Sequence, residues 1–193
     1  MEQRSDEELL AGSLKGHRGD FKTLLDRYEG ELFNFLYHTT GDRQVAEDLF
    51  QETFLQVFSH IERFRPGAPF KPWLYTIAAN LARDEMRRRR RRRSVSLDAQ
   101  VRPGEETRLG ELVSARATEP ETEIFQQEAA DMAGELLDGL PENLREVVVL
   151  YFYNGMKYAQ ISDALGVPMG TVKSRLYRAV REMSAAMKRK RGL

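Results

Sequence analysis

The sequence predicts an all-α protein made of two small helical domains, residues 1–93 and 121–193, joined by a flexible acidic linker over 94–120. Three observations carry that expectation. Apolar residues recur at intervals of three and four through most of the chain, the period of an amphipathic helix. No stretch alternates apolar and polar residues as a half-buried strand would. Between Ser94 and Glu119 the period lapses into "SVSLDAQVRPGEETRLGELVSARATE", which is acidic and poor in large apolar side chains. A length of 193 residues suits two such domains.

Each element has its own signal. Ser5 followed by Glu8 is a capping box, opening a short helix that ends near Gly16. Phe21, Leu24, Leu25, Tyr28, Leu32, Phe35 and Leu36 mark a second helix, which "TTGD" breaks. A third spans about Arg43 to Phe64, with Val45, Phe50, Phe54, Val57, Phe58 and Ile61 on its buried face. "RPGAPFKP" is a loop by its prolines and glycine, and a fourth helix runs from Trp73 into the arginines. Beyond the linker, Ile124 to Leu137 has helical spacing, although a further helix around Glu105 to Ala117 would also fit the linker sequence. Pro141 stands at a first helical position, and "ENLREVVVLYFYN" leads to a Gly155 cap. A short helix "KYAQISDAL", a "GVP" turn and a final helix from Met169 to about Lys188 complete the chain.

Charge is distributed unevenly within a formal net charge of zero. Seven consecutive arginines occupy Arg87 to Arg93, and Lys157 to Leu193 carries nine basic residues against two acidic. The stretch Glu128 to Met156 has the opposite bias, six acidic against one basic. Two separated basic patches on an acidic body suit two contacts with one long polyanion. The chain has no cysteine, so disulfides, thiolate nucleophiles and cysteine-ligated zinc are excluded. His17, His38 and His60 fall on different elements and no glycine-rich phosphate loop precedes a helix, so no catalytic residue, metal or cofactor is expected. The acidic start lacks a secretory leader and no apolar run is long enough to insert in a membrane, which makes cytoplasmic residence the expectation.

The strongest local pattern is "YAQISDALGVPMGTVKSRLYRAVREM", two helices around a tight turn containing glycine, the layout of a helix-turn-helix. On a helical wheel Val172, Leu176, Ala179, Val180 and Met183 share the packing face. Thr171, Lys173, Ser174, Arg175, Tyr177, Arg178 and Arg181 occupy the remainder, a cationic, hydroxyl-bearing face suited to phosphates and to guanine edges in a major groove.

Four blocks, "GDFKTLLDRYEGELFNFL", "DRQVAEDLFQETFLQVF", "FKPWLYTIAANLARDEMRRR" and "LPENLREVVVLYFYNGMKYAQISDALGVPMGTVKSRLYRA", occur in an order that resembles the extracytoplasmic-function sigma factors, the small two-domain members of the sigma-70 family. The resemblance implies a transcription initiation factor that takes core RNA polymerase and promoter DNA as partners. It implies that the second block binds the β′ clamp helices through Asp48, Leu49, Gln51, Glu52, Leu55 and Gln56, with the β flap as a further contact. The third block would open and read the promoter −10 element through Arg65, Phe70, Lys71, Trp73, Asn80, Asp84, Arg87 and Arg88. Trp73 and Ile77 also have the spacing of packing residues, so both roles stay open for Trp73. The last block would read the −35 element through the α-helical residues named above. Ala79 departs from the arginine frequent before the family's asparagine, which would remove a phosphate contact. An anti-sigma protein is a further implied partner. A free-standing helix-turn-helix activator or repressor shares the second half of this pattern. The "AEDLFQETFLQVF" and "WLYTIAANLARDEMRRR" segments distinguish the two, because a repressor has no need of them.

Overall fold

Residues 4–65, 67–95 and 132–190 are described by a computed structural model of the protein. Helix α1 (Asp6–Leu14) opens with the predicted capping box: Ser5 Oγ accepts the Glu8 N–H at 3.2 Å and the Glu8 carboxylate accepts the Ser5 N–H at 2.8 Å. Helix α2 (Arg18–Thr40) ends at Gly41, whose φ of +67° lets its N–H turn back to the Tyr37 carbonyl. Asp42 then caps α3 (Arg43–His60), accepting the Val45 N–H at 3.1 Å, and a single 3-10 turn, Ile61–Arg63, finishes that helix.

Helix α4 (Phe70–Val95) begins three residues before the expected Trp73. Pro72 is tolerated because first-turn N–H groups have no partner within a helix. One of those donors finds a tertiary partner instead: the Phe70 N–H donates to Glu7 of α1 at 2.9 Å. Burial works against ionisation of Glu7, yet this bond and its local hydrogen bonds hold the carboxyl below its ordinary range.

The second half comprises α5 (132–138), α6 (Glu142–Val148), a π-helical turn Val149–Tyr153, α7 (Tyr158–Leu165) and α8 (Met169–Lys190). Pro141 sits at the N-cap of α6 rather than inside its first turn. The linker 96–120, the suggested helix at 105–117 and the predicted helical start at Ile124 lie outside the described residues.

Leu24, Leu32, Phe35, Phe54, Val57, Leu74 and Ala78 fill the interior of the first half and Leu144, Val147, Leu150, Ile161, Val172 and Leu176 that of the second, and the two groups join in one continuous hydrophobic cluster. Two positions correct the wheel assignments. The wheels predict burial of Phe58 and Val180, which are instead 61% and 50% exposed. Each lies at the edge of its helix's apolar stripe, where the described elements cover it only in part.

The sequence alone suggests two tethered, separately folded modules, whereas here they pack directly on one another, α4 along α7 and α2 against α6 and the π turn. The seam is polar. Lys71 donates to the Asn154 carbonyl at 2.7 Å, Asn154 Nδ2 donates to the Glu31 carbonyl at 3.1 Å and to the Tyr75 hydroxyl, and Arg145 donates to the His38 carbonyl at 2.8 Å. Arg83 faces Glu146 at 3.3 Å and Arg90 pairs with Glu142. Four buried side-chain atoms on the seam, His38 Nδ1, Arg145 Nε, Glu146 Oε1 and Asn154 Oδ1, have no hydrogen-bond partner among the described residues.

Candidate nucleic-acid interface

In the second half the turn between α7 and α8 is fixed by Gly166 at φ +64° and by Ser162, whose hydroxyl donates to the Val167 carbonyl at 2.6 Å. Val172, Leu176 and Ala179 anchor α8 to the core. That leaves Lys173, Ser174, Tyr177, Arg178 and Arg181 exposed along its outer face, with Thr171 and Arg175 half-buried at the margin. The cations are lightly held: Arg178 pairs with Glu182 at 2.8 Å across one exposed turn, and Arg181 lies over the Tyr177 ring at 5.9 Å. Exposed pairs of this kind contribute little and are readily exchanged for phosphate.

In the first half the positions assigned to −10 recognition divide into three groups. Arg65, Asn80, Asp84, Arg87 and Arg88 are exposed. Trp73 is half-buried against Phe64, with ring centroids 5.0 Å apart, so one edge remains open. Phe70 corrects the assignment: it is fully buried, packed between Tyr28 at 5.6 Å and Trp73 at 6.1 Å, because the helix starts earlier than the prolines suggest. Lys71 is held by Glu31 at 2.7 Å and by the Asn154 carbonyl. The arginine run is also partly engaged. Arg89 bonds Asp42 at 2.9 Å and Glu85 at 3.2 Å. Burial opposes ionisation of Asp42, but the Val45 N–H and the Arg89 guanidinium together keep its carboxyl below the usual range.

The α3 face presents Asp48, Gln51, Glu52 and Leu55 to solvent, with Leu49 and Gln56 half-buried. Phe58, missing from the sequence-based set, joins them: Leu55 and Phe58 are each 61% exposed and three residues apart, hence on one side of the helix. Phe58 leans on Phe21 of α2, edge to face at 5.5 Å. The periodicity that marked it as core could not show that its ring meets α2 on one side only and is otherwise exposed. Sequence reasoning also missed the seam residues His38, Arg145, Glu146 and Asn154, since contacts more than sixty positions apart leave no local pattern.

Among the described residues no helix is long and apolar enough to cross a membrane, and no group of His, Asp or Glu is placed to hold a metal ion.

Residues 24–92 match the sigma-70 region 2 family and residues 130–183 the sigma-70, region 4 family. The chain is 30% identical to the ECF RNA polymerase sigma factor SigW of Bacillus subtilis, over 85% of this chain and 87% of that one. It is also 30% identical to the ECF RNA polymerase sigma-E factor of Haemophilus influenzae, over 94% of each. Among solved structures, the sigma factor RpoE of Bartonella quintana, crystallised with the anti-sigma factor NepR, superposes with a TM-score of 0.68 at 25% identity, over 88% of this chain and 97% of that one. Two helical modules with these matches define a sigma-70-type transcription initiation factor. The chain belongs to the extracytoplasmic-function sigma factors, which act with core RNA polymerase on promoter DNA.

Proposed function

We propose that the two modules divide the work of promoter-specific initiation between them. The first holds the β′ clamp helices through Asp48, Leu49, Gln51, Glu52, Leu55, Gln56 and Phe58 on α3. It reads the opened −10 element through Arg65, the free edge of Trp73, and Asn80, Asp84, Arg87 and Arg88. Single strands need such a combination of cations along the backbone and an aromatic edge for an unstacked base. The second module lays α8 in the −35 major groove with Arg178 and Arg181 available for guanine O6 and N7. The protein works in the bacterial cytoplasm, has no catalytic step of its own, contacts the β flap, and is held in check by an anti-sigma protein, the type of partner found with the RpoE relative.

The observation that carries this reading is the α3 face, where Leu55 and Phe58 stand in solvent among carboxylates. A free-standing regulator would gain nothing from that surface, whereas a partner protein buries it. The test is reconstitution with core polymerase on a genomic fragment library, sequencing transcript 5′ ends. Wild-type protein directs a defined set of starts sharing spaced elements. Leu55→Ala lowers affinity for core at least about tenfold, as truncation of an interface anchor does, while leaving thermal stability near wild type because the side chain is already exposed. No association with core enzyme would leave only a DNA-binding protein.

A further inference from the structure

Helix α4 lacks the means to cap itself. Pro69, the residue before it, carries no side-chain acceptor, whereas helices ordinarily take one from Ser, Thr, Asp or Asn at that position. Pro72 has no N–H, which leaves the first-turn donors of Phe70 and Lys71 to be satisfied from elsewhere. Glu7 supplies the acceptor for Phe70 at 2.9 Å, across 63 positions of sequence. The placement of that carboxylate is itself specified. α1 opens with three consecutive acids, each with a different partner. Asp6 accepts from Arg27 and from the Tyr28 hydroxyl on α2, Glu7 accepts from α4, and Glu8 closes the capping box with Ser5. Asp6 and Glu8 fix the first turn of α1 on the body of the module, and Glu7 between them is aimed at α4. The Tyr28 ring also meets Phe70 edge to face at 5.6 Å, so the same latch holds both sides of the contact.

The residues assigned to −10 recognition flank this point. Phe64 lies against Phe70 at 6.3 Å and against Trp73 at 5.0 Å, and Trp73 stands at the start of α4. Arg65 follows Phe64 in a tight turn, closed by the Ala68 N–H on the Arg65 carbonyl at 3.1 Å and permitted by Gly67 at φ +81°. Arg65 and Trp73 therefore take their positions from the first turn of α4, and that turn takes its position from Glu7. We propose that Glu7 is a positioning residue for promoter reading: a cap supplied by α1 that fixes the start of α4, and with it Arg65 and the free edge of Trp73, for the unstacked bases of the −10 element. The proposal rests on the −10 role of Arg65 and Trp73 and adds to it a residue outside the DNA-facing set. Its contribution is preorganisation, because a first turn that is already fixed need not be ordered at the expense of binding.

The test compares two uncharged, nearly isosteric replacements in holoenzyme formed with core polymerase. Glu7→Gln keeps an oxygen that can accept the Phe70 N–H and Glu7→Met does not, while both are good helix formers, so α1 is affected equally. The readout is anisotropy of labelled single strands spanning the −10 element of a promoter mapped by its transcript 5′ ends. Glu7→Met should weaken binding at least about tenfold, the factor that one hydrogen bond to a charged group corresponds to, and should flatten the preference among −10 base substitutions. Glu7→Gln should stay within about threefold of wild type. Affinity for core polymerase through the α3 face and for −35 duplex through α8 should be unchanged in both. Pro69→Asp, at an exposed position, gives α4 its own cap and should restore binding to the Glu7→Met chain. A role for Glu7 confined to the stability of α1 would not be rescued there. Circular dichroism checks helicity, and Glu7→Ala replaces Glu7→Met should the latter fail to fold. Equal binding by Glu7→Met and wild type overturns the proposal, as does failure of Pro69→Asp to restore it. Arg65→Ala and Trp73→Ala separate the proposal from the reading beneath it. If these weaken single-strand binding while Glu7→Met does not, only the positioning role falls; if none of the variants weakens it, the −10 assignment falls as well.

Discussion

The Tyr75 ring is fully buried in the first core, edge-on to Phe35 with centroids 5.4 Å apart, while its hydroxyl accepts a hydrogen bond from Asn154 of the second module. Burial pushes its ionisation well above the ordinary range, and nearby Glu31 adds to the effect, so the group is a neutral hydroxyl at any physiological pH. Replacing it with phenylalanine keeps the ring and deletes the acceptor. Asn154 Nδ2 retains the Glu31 carbonyl at 3.1 Å, so the loss is one bond of two. Tyr75→Phe should therefore weaken the seam by about 1 kcal/mol without disturbing the first core. Urea unfolding should show a loss of stability of about that size with helicity retained, and a collapse of the fold would mean that the hydroxyl is needed for folding. Nothing in the sequence marked this role. Tyr75 was legible as an aromatic beside a proline-rich loop, but an acceptor that meets its donor 79 positions away is set by tertiary packing alone.

At the level of elements, helix periods and caps were legible because their causes are local. Ser5 with Glu8, Asp42, Gly41 and Gly166 each satisfy or release backbone groups within one turn, so the residue type announces the boundary. The start of α4 was less so, since the donor at Phe70 is satisfied by Glu7 from another helix and Pro72 concealed the first turn. The π turn at Val149–Tyr153 was invisible, being one extra residue accommodated where the chain turns toward Asn154. The arginine run shows the same division. Its cationic character was plain in the sequence, yet the structure engages Arg89 with Asp42 and Arg90 with Glu142 and leaves Arg87 and Arg88 mostly exposed. Replacing Arg90 to Arg93 with glutamines should lower affinity to a similar degree on all promoters, because cations that meet phosphates carry no sequence information. The log–log salt dependence should become shallower by roughly 0.9 for each duplex phosphate that is no longer neutralised. Filter binding or anisotropy across a salt series on several promoters measures both, and a weakening confined to one promoter would assign these residues to base selection.

Across the whole molecule, two buried titratable groups sit on the seam and respond to acid in opposite senses. Burial depresses His38 below its ordinary 6.5; the Asp138 carboxylate opposes that shift and the Arg145 guanidinium adds to it, with Tyr37 and Tyr153 as the neighbouring rings. Burial raises Glu146 above its ordinary 4.5, against the pull of Arg83. For His38 the neutral form is the one that fits the packed seam. Its contribution is therefore complete above the unfolded value of 6.5 and is lost as pH falls from there toward the depressed folded value. For Glu146 the protonated form is favoured in the packed state, so its contribution is largest below 4.5 and is lost as pH rises through the raised value. Between pH values of about 7.5 and about 5.5 the imidazole is the group that weakens packing on acidification. Thermal melting of the wild type over that range should show a fall in stability with acid, and His38→Gln, which cannot acquire the charge, should show a smaller fall or a rise as Glu146 protonates. Melting curves measured at low and at moderate salt separate this from general charge effects, because a buried imidazole is poorly screened whereas the exposed arginines are not. Parallel slopes for the two proteins would place His38 protonation outside the energetics of the seam.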